Sequence, residues 1–369
     1  MGPERCRVES LVKESVDFSH FKDCRVFVTG HTGFKGAWLC FWLNQLGAKV
    51  YGYSLPPAYP GSVFERVDLG STMDGEFSDV RDSVRLSAAM RAFEPEILFH
   101  LAAQPLVRAA YDDPKYTFDV NVGGAVNLLE AVRATPSLKS VVFVTSDKCY
   151  RNKEWVWGYR ETDELGGKDP YSASKACAEL VFSSYVDSFL AVRRDLGIAT
   201  VRAGNVIGGG DWSPNRIVPD CLRALLSDQP IVLRSPHATR PWQHVLEPLG
   251  GYMRLALLLA RDPGRFGGSW NFGPGSDSIN TVLALVEKIV ADWGKGQIRT
   301  EIDPNAPHES GLLQLSIDKA RLELDWKPRW GFGQTVSETV AWYRRVEAGE
   351  SAAAVTAGQI RTYESSVRA

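Results

Sequence analysis

RVFVTGHTGFKG, residues 25–36, is a short apolar strand that runs directly into a glycine loop. Val26, Phe27 and Val28 are the β-branched and aromatic residues of a buried strand, expected over Arg25–Thr29. Gly30, Gly33 and Gly36 follow at the spacing G-x-x-G-x-x-G. Trp38, Leu39, Phe41, Trp42 and Leu46 then mark an apolar helix that ends at Gly47. Strand, glycine loop and helix in this order turn a weak pattern into an informative one. The glycines permit a tight turn and close backbone approach, and the helix N-terminus faces a pyrophosphate. The loop therefore predicts a dinucleotide site built from Gly30, Thr32, Gly33, Phe34, Lys35 and Gly36. A glycine-rich turn with no ligand is the plainer alternative.

Working outward, Ala48–Tyr53 reads as the second strand. It ends in Tyr53-Ser54-Leu55, with neither the acid that would select NAD nor an arginine for NADP, so these residues leave that choice open. Glu76–Asp79 is a short third strand, with Asp79 and Val80 where an adenine ring could be held. Asp82–Phe93 is a helix, and Ile97–Ala103 a fourth strand that carries Leu101, Ala102 and Ala103 to Gln104. His100 lies inside that strand as a core histidine. Tyr116–Arg133 is a long amphipathic helix with Asn121 near its start. Strands alternating with helices predict an α/β fold, a Rossmann-type doubly wound parallel sheet.

The chemistry concentrates between Val141 and Lys175. Val141–Thr145 is a continuous apolar strand whose end delivers Thr145, Ser146, Asp147 and Lys148 to the sheet edge where such folds place ligands. Pro170 opens a helix to Phe189, and Tyr171 and Lys175 share one face of it at a spacing of four. An ammonium beside a phenol favours the phenolate, so Tyr171 is expected to have a lowered pKa and to serve as a base. Alone, such a pair could be a surface feature; beside Asp147-Lys148 it reads as catalytic.

Beyond Ile198–Ala203, another strand, the pattern breaks into short segments. The chain is therefore divided into a lead-in over 1–22 and a dinucleotide domain over 23–211, with segments returning near 240–275. A smaller mixed α/β substrate lobe covers 212–345, and a flexible tail 346–369. Ser269–Phe272 is expected to rejoin the first sheet. Thr281–Trp293, Ser316–Leu324 and Gln334–Ala348 are helices, and Trp326–Trp330 an exposed linker. Trp155 and Trp157 either wall a sugar pocket or belong to the core.

The 369 residues carry 42 Lys+Arg against 44 Asp+Glu, so no basic footprint points to nucleic acid. No run approaches the roughly 20 apolar residues of a membrane span. The N-terminal MGPERCRVES has no apolar signal core, so a cytoplasmic location is expected. Six scattered cysteines without a CxxC read as reduced thiols and predict no metal site, with Cys149 a buried structural thiol.

The motifs TGHTGFKG, HLAAQ, TSDKCY, YSASK and RAGNVIGGGDW resemble those of extended short-chain dehydrogenases/reductases of the nucleotide-sugar-modifying branch. GHTGFKGAWL, TSDKCYRNKEWVWGYRE, GGGDWSPNRIVPDC and PHATRPWQHVLEPL are similar to the 4,6-dehydratases acting on CDP-glucose. Relatives acting on dTDP-glucose have Thr-Asp-Glu where this chain has Ser146-Asp147-Lys148, and Asp-Lys marks the CDP-glucose branch. The resemblance implies tightly held NAD, with Asp79, Val80, Leu101–Gln104, Asn121, Thr145, Tyr171 and Lys175 joining the glycine loop around it. It implies oxidation at C4 by Tyr171 with Ser146 and Lys175. Lys148 is then a base at C5, Asp147 an acid at C6, and hydride returns to C6. Gln104, Asn205, Arg216, Arg234, Arg240 and His308 are candidates for the nucleotide-sugar substrate. A homodimer or dimer of dimers is expected through the helices carrying Val126, Leu129, Val181, Phe182 and Tyr185. The alternatives are a 4-epimerase, a dehydratase of another NDP-hexose, and a dinucleotide-sensing protein without catalysis.

Overall fold

The computed structural model describes residues 16–275, 278–301 and 312–366. Seven strands form the central sheet: β1 (Arg25–Thr29), β2 (Lys49–Ser54), β3 (Asp74–Phe77), β4 (Ile97–His100), β5 (Ser140–Val144), β6 (Gly197–Ala203) and β7 (Gly268–Phe272). Their order is β7-β6-β5-β4-β1-β2-β3, and every neighbouring pair is parallel. Strand order reverses between β1 and β4, where both strands point their C-terminal ends at a common crevice.

Alternation along β1 explains the double winding. Val26 and Val28 enter one core, with helix α1 (Phe34–Gln45) and Leu246–Arg261 packed over them, while Phe27 enters a second core on the opposite face. That second face is covered by α2 (Ser83–Phe93), α3 (Gly124–Arg133) and α4 (Pro170–Tyr185). Local chemistry sets the helix starts. Asp82 caps α2 through the Arg85 N–H. Asp169 caps α4 through the Ser172 N–H, with Pro170 in the first turn.

Several boundaries differ from the sequence reading. β3 is Asp74–Phe77 and not Glu76–Asp79, because Asp79 turns out of the sheet to hold Arg81. The fourth strand ends at His100, short of Ala103. Tyr116–Arg133 is not one α-helix: Pro114–Phe118 passes through a π-turn, Asp119–Gly123, before α3 begins. Likewise α4 ends at Tyr185 and continues as a π-turn, Val186–Leu190. Trp326 and Trp330 are buried, not exposed; their rings lie edge-on to Phe272 and Tyr363. The tail expected to be flexible contains the helix Ala352–Ser365. Its Val355, Ile360 and Tyr363 are buried, and the Tyr363 hydroxyl donates to the buried Glu247 carboxylate at 3.0 Å.

Short pairings build the second lobe: Ile231–Leu233 with Ile298–Thr300, and Thr239–Pro241 with Ile279–Thr281. Its buried residues, among them Leu222, Leu225, Leu285 and Ile289, belong to the same core as α1. No helix among the described residues is long and apolar enough to cross a membrane.

The glycine loop is the tightest joint. A Cβ on Gly36 would lie 2.0 Å from the Gly30 carbonyl oxygen, and one on Gly30 would lie 2.6 Å from the Ala102 nitrogen, with φ at +77° as well. Gly36→Ala must therefore push α1 off β1. Expected is a loss of about 2 kcal/mol or more in urea unfolding, together with lost dinucleotide binding; wild-type values for both would refute the steric argument.

Candidate active site

Both catalytic segments reach the crevice from adjacent elements. β5 ends at Val144, and Ser146 then caps a single 3₁₀ turn, Asp147–Cys149, through the Lys148 N–H at 3.2 Å. The same Ser146 hydroxyl donates to Asp147 Oδ1 at 2.9 Å and acts on the neighbouring Tyr171 phenol. Asp147, Tyr171 and Lys175 are buried, whereas Lys148 is half-buried. Ser146 thus stands between Tyr171 and the Asp147–Cys149 turn.

Burial moves the two helix residues in opposite directions. The Tyr171 phenol is pushed up to about 12, chiefly by desolvation and then by the negative Asp147. The Ser146 hydroxyl and the Arg216 charge oppose the rise. This corrects the expected lowering: in the protein alone desolvation outweighs its cationic neighbours, and Tyr171 keeps its proton at neutral pH. Lys175 is brought down to about 8 by desolvation, resisted by Cys149 and Glu179. Lys35, in the first turn of α1, also falls to about 8. Desolvation leads, repulsion from Arg216 and Lys175 adds to it, and Asp147 opposes it. Lys35, Lys175 and Arg216 therefore converge as cations on one crevice, a field suited to diphosphates.

The surrounding residues fit a dinucleotide. Gly30, Gly33 and Gly36 form a cradle that side chains would fill, and Gly33 leaves the start of α1 without a side-chain cap. Thr32 is fixed by bonds to the Ser54 hydroxyl and the Leu55 carbonyl, and Phe34 is half-buried beside it. Asp79 and Val80 are anchored from two sides: Tyr53 donates to the Asp79 carbonyl and Asn127 to that of Val80. On the β4 side, Leu101 and Ala102 press against Gly30, and Ala103 leads to Gln104. Asn121, brought inward by the π-turn, accepts from the Gln104 N–H and donates to the Gln104 carbonyl and to Ser174. The Gln104 amide donates to Thr117 and Leu106, so it serves the loop itself.

Of the substrate candidates, Arg216 is held by Asp211 at 3.2 Å and acts electrostatically on Tyr171. Asn205 follows β6, and its carbonyl accepts from the Gln243 N–H; Arg240 is half-buried in Thr239–Pro241. Arg234 is exposed just past Ile231–Leu233, and His308 lies outside the described residues. Trp155 packs with Tyr159 in a small local core, while Trp157 is 70% exposed. His100 is a core residue, bonded to the Thr29 hydroxyl at 2.7 Å, and Cys149 is buried. No group of three metal-ligating side chains occurs among the described residues.

Gly204 escaped the sequence reading. A Cβ there would lie 2.9 Å from Asp147 Oδ2, and only its place just past a strand end hinted at a role. Gly204→Ala should leave the circular dichroism spectrum and dinucleotide affinity unchanged while lowering turnover about tenfold or more, since small misplacement of a catalytic group is costly. Undiminished turnover would remove Asp147 from the reacting geometry.

A family model described as GDP-mannose 4,6 dehydratase matches residues 27–339. A CDP-glucose 4,6-dehydratase of Salmonella typhimurium is 46% identical over 354 residues, covering 95% of this chain and 99% of that protein. Among solved structures, a dTDP-glucose 4,6-dehydratase of Bacillus anthracis in complex with NAD superposes with a TM-score of 0.73 at 22% identity, covering 88% and 98% of the two chains. A UDP-glucose 4-epimerase of Stenotrophomonas maltophila with bound NAD gives 0.75 at 24% identity, covering 89% and 100%. At those identities the superpositions establish the fold. The family match and the near full-length relative go further: the chain belongs to the nucleotide-sugar 4,6-dehydratase family of the extended short-chain dehydrogenases/reductases.

Proposed function

We propose that the protein is an NAD-dependent CDP-glucose 4,6-dehydratase that forms CDP-4-dehydro-6-deoxy-D-glucose. The observation that carries this reading is the 46% identity along almost the whole of both chains, to a relative of that name. Supporting it, Ser146 donates to Asp147, and both act on the buried Tyr171 phenol. The matching family model is named for a GDP sugar; the relative matched along 99% of its length at 46% identity is the more specific comparison and weighs more.

Bound NAD supplies the hydride acceptor at C4, the donor later needed at C6, and a positive ring charge. Tyr171 takes the C4 hydroxyl proton, with Ser146 sharing that oxygen. Because desolvation holds the phenol near 12, its release of a proton leans on the neighbouring cations. Lys175 orients the cofactor ribose and adds positive charge. The C4 ketone then acidifies the C5 proton, which passes to Lys148 as the free amine, while Asp147, which must carry a proton at this step, gives it to the C6 hydroxyl so that water departs. A 4-epimerase needs no such acid–base pair, which favours dehydration.

Incubation with CDP-, dTDP-, UDP- and GDP-hexoses, read by mass spectrometry, should give a 4-keto-6-deoxy product from CDP-glucose preferentially. Equal turnover of dTDP-glucose would overturn the nucleotide assignment. Lys148→Met should still form NADH with substrate but lose solvent deuterium exchange at C5 by about a hundredfold; exchange at the wild-type rate would exclude Lys148 as the base. Tyr171→Phe should instead lose NADH formation itself.

The reading extends to a dimer. Leu129 and Phe182 are buried in their own subunit, but Tyr111, Leu180 and Phe189 are exposed on the outer side of α4 and its neighbours, with Leu180 at 60%. Light scattering should give a dimer at micromolar concentration, and Leu180→Arg should weaken it; a wild-type monomer would refute this.

A further inference from the structure

Glu179 and Arg202 are each about 3% exposed, yet both are ionisable and neither has a part in the chemistry above. Glu179 Oε1 accepts from Thr145 Oγ1 at 2.5 Å and Arg202 Nε at 2.8 Å, while Oε2 accepts from Thr200 Oγ1 at 2.9 Å and Arg202 Nη2 at 2.8 Å. Arg202 also donates from Nη1 to the Tyr150 hydroxyl at 2.6 Å and the Glu161 carbonyl at 3.1 Å, and from Nη2 to Ser269 at 3.0 Å. All five guanidinium N–H groups are thereby matched.

The pair's attachments have a pattern. Glu179 lies one helical turn past Lys175 and two past Tyr171, on the same face of α4. Thr145 is the residue before the Ser146–Cys149 turn, and Tyr150 is the residue after it. The pair therefore grips both ends of the acid–base turn and fixes them to the helix that carries the redox residues. Tyr150 extends the grip by donating to Asn271 on β7 at 2.8 Å, and Asn271 donates in turn to the Tyr159 carbonyl. Stability alone does not account for such a device, since a buried ion pair repays its desolvation poorly and an apolar pair of similar volume is often as stable.

We propose that Glu179 and Arg202 are positioning residues for the dehydration, a buried strut that sets Asp147 and Lys148 against the C5 and C6 atoms of a sugar held by Tyr171. The strut rests on the dehydratase reading for its chemistry, but its mechanical part does not. Removing one charge would strand the other in the core and unfold the protein. The decisive variant is therefore the double replacement Glu179→Met with Arg202→Met, accompanied by Tyr150→Phe, which deletes one hydroxyl.

The double variant should melt within a few degrees of wild type and keep KM within about threefold. NADH formation in rapid mixing should fall less than tenfold, while C5 exchange and product formation fall about a hundredfold, the scale of a positioned acid or base. Tyr150→Phe should show the same split, more weakly. Equal loss in both steps, or unchanged kcat in a folded double variant, would overturn the proposal. Amide exchange gives a readout without substrate: the 145–151 segment should exchange at least tenfold faster in the double variant while β1 and α1 stay protected. Unchanged protection there overturns the strut whatever the substrate. A wild type that converts no nucleotide hexose would fail the dehydratase reading at the control, leaving the exchange result to decide the strut.

Discussion

The contact of Gly36 with the Gly30 carbonyl, and of Gly30 with Ala102, is the constraint on which the rest of the site depends. Three backbones meet there with no side chain between them, so the start of α1 is drawn against the open ends of β1 and β4. A consequence is the placement of Lys35. Because it falls in the first turn after the loop, its ammonium feels Asp147, Lys175 and Arg216 and joins the catalytic crevice. The glycine loop thus shapes a phosphate cradle and also contributes charge to the reaction centre.

Electrostatics then divides the site. Tyr171 and Lys175 are both buried, and burial disfavours the charged form of each, so one is raised and the other lowered. A phenol near 12 and an ammonium near 8 have moved apart from ordinary values of 10.0 and 10.5, so a proton passes from Tyr171 to Lys175 less readily than between the free groups. The pair is poised for charge to arrive from outside, and a cationic cofactor ring is the kind of charge that would favour the phenolate. The expectation of a lowered Tyr171 pKa counted the neighbouring ammonium and left out the dry surroundings.

Much of the fold was legible because its signals are local. Runs such as VFVT in β1 and VVFV in β5 are β-branched and aromatic through their length, as suits strands buried on both faces, and β1 falls at Arg25–Thr29 as read. What failed was set by tertiary contacts. The π-turn at Asp119–Gly123 brings Asn121 to Gln104 and Ser174, and helix periodicity carries no trace of that partnership. The Ala352–Ser365 helix looks like a polar, alanine-rich tail until Tyr363 is seen to reach Glu247 inside the core. Trp326 and Trp330, flanked by Lys327 and Pro328, resembled a linker for the same reason: their ring partners lie far away in the chain. In the site, Tyr171, Lys175 and Asp147-Lys148 stood out by type and spacing. Gly204 did not, because its importance is the space it leaves for Asp147.

The two halves of the site are built on different elements, and this bears on how one centre would conduct both steps of the proposed dehydration. Tyr171 and Lys175 project from a sixteen-residue helix with a Pro start and an Asp cap, an inherently rigid support. Asp147 and Lys148 hang from a three-residue 3₁₀ turn, a short element with poor hydrogen-bond geometry. In the proposed reaction Tyr171 addresses C4 alone, whereas Asp147 and Lys148 have to address C5 and C6. A turn tethered by side chains at both ends would serve the second without disturbing the first, and Ser146, which donates to Asp147 and acts on Tyr171, stands between them.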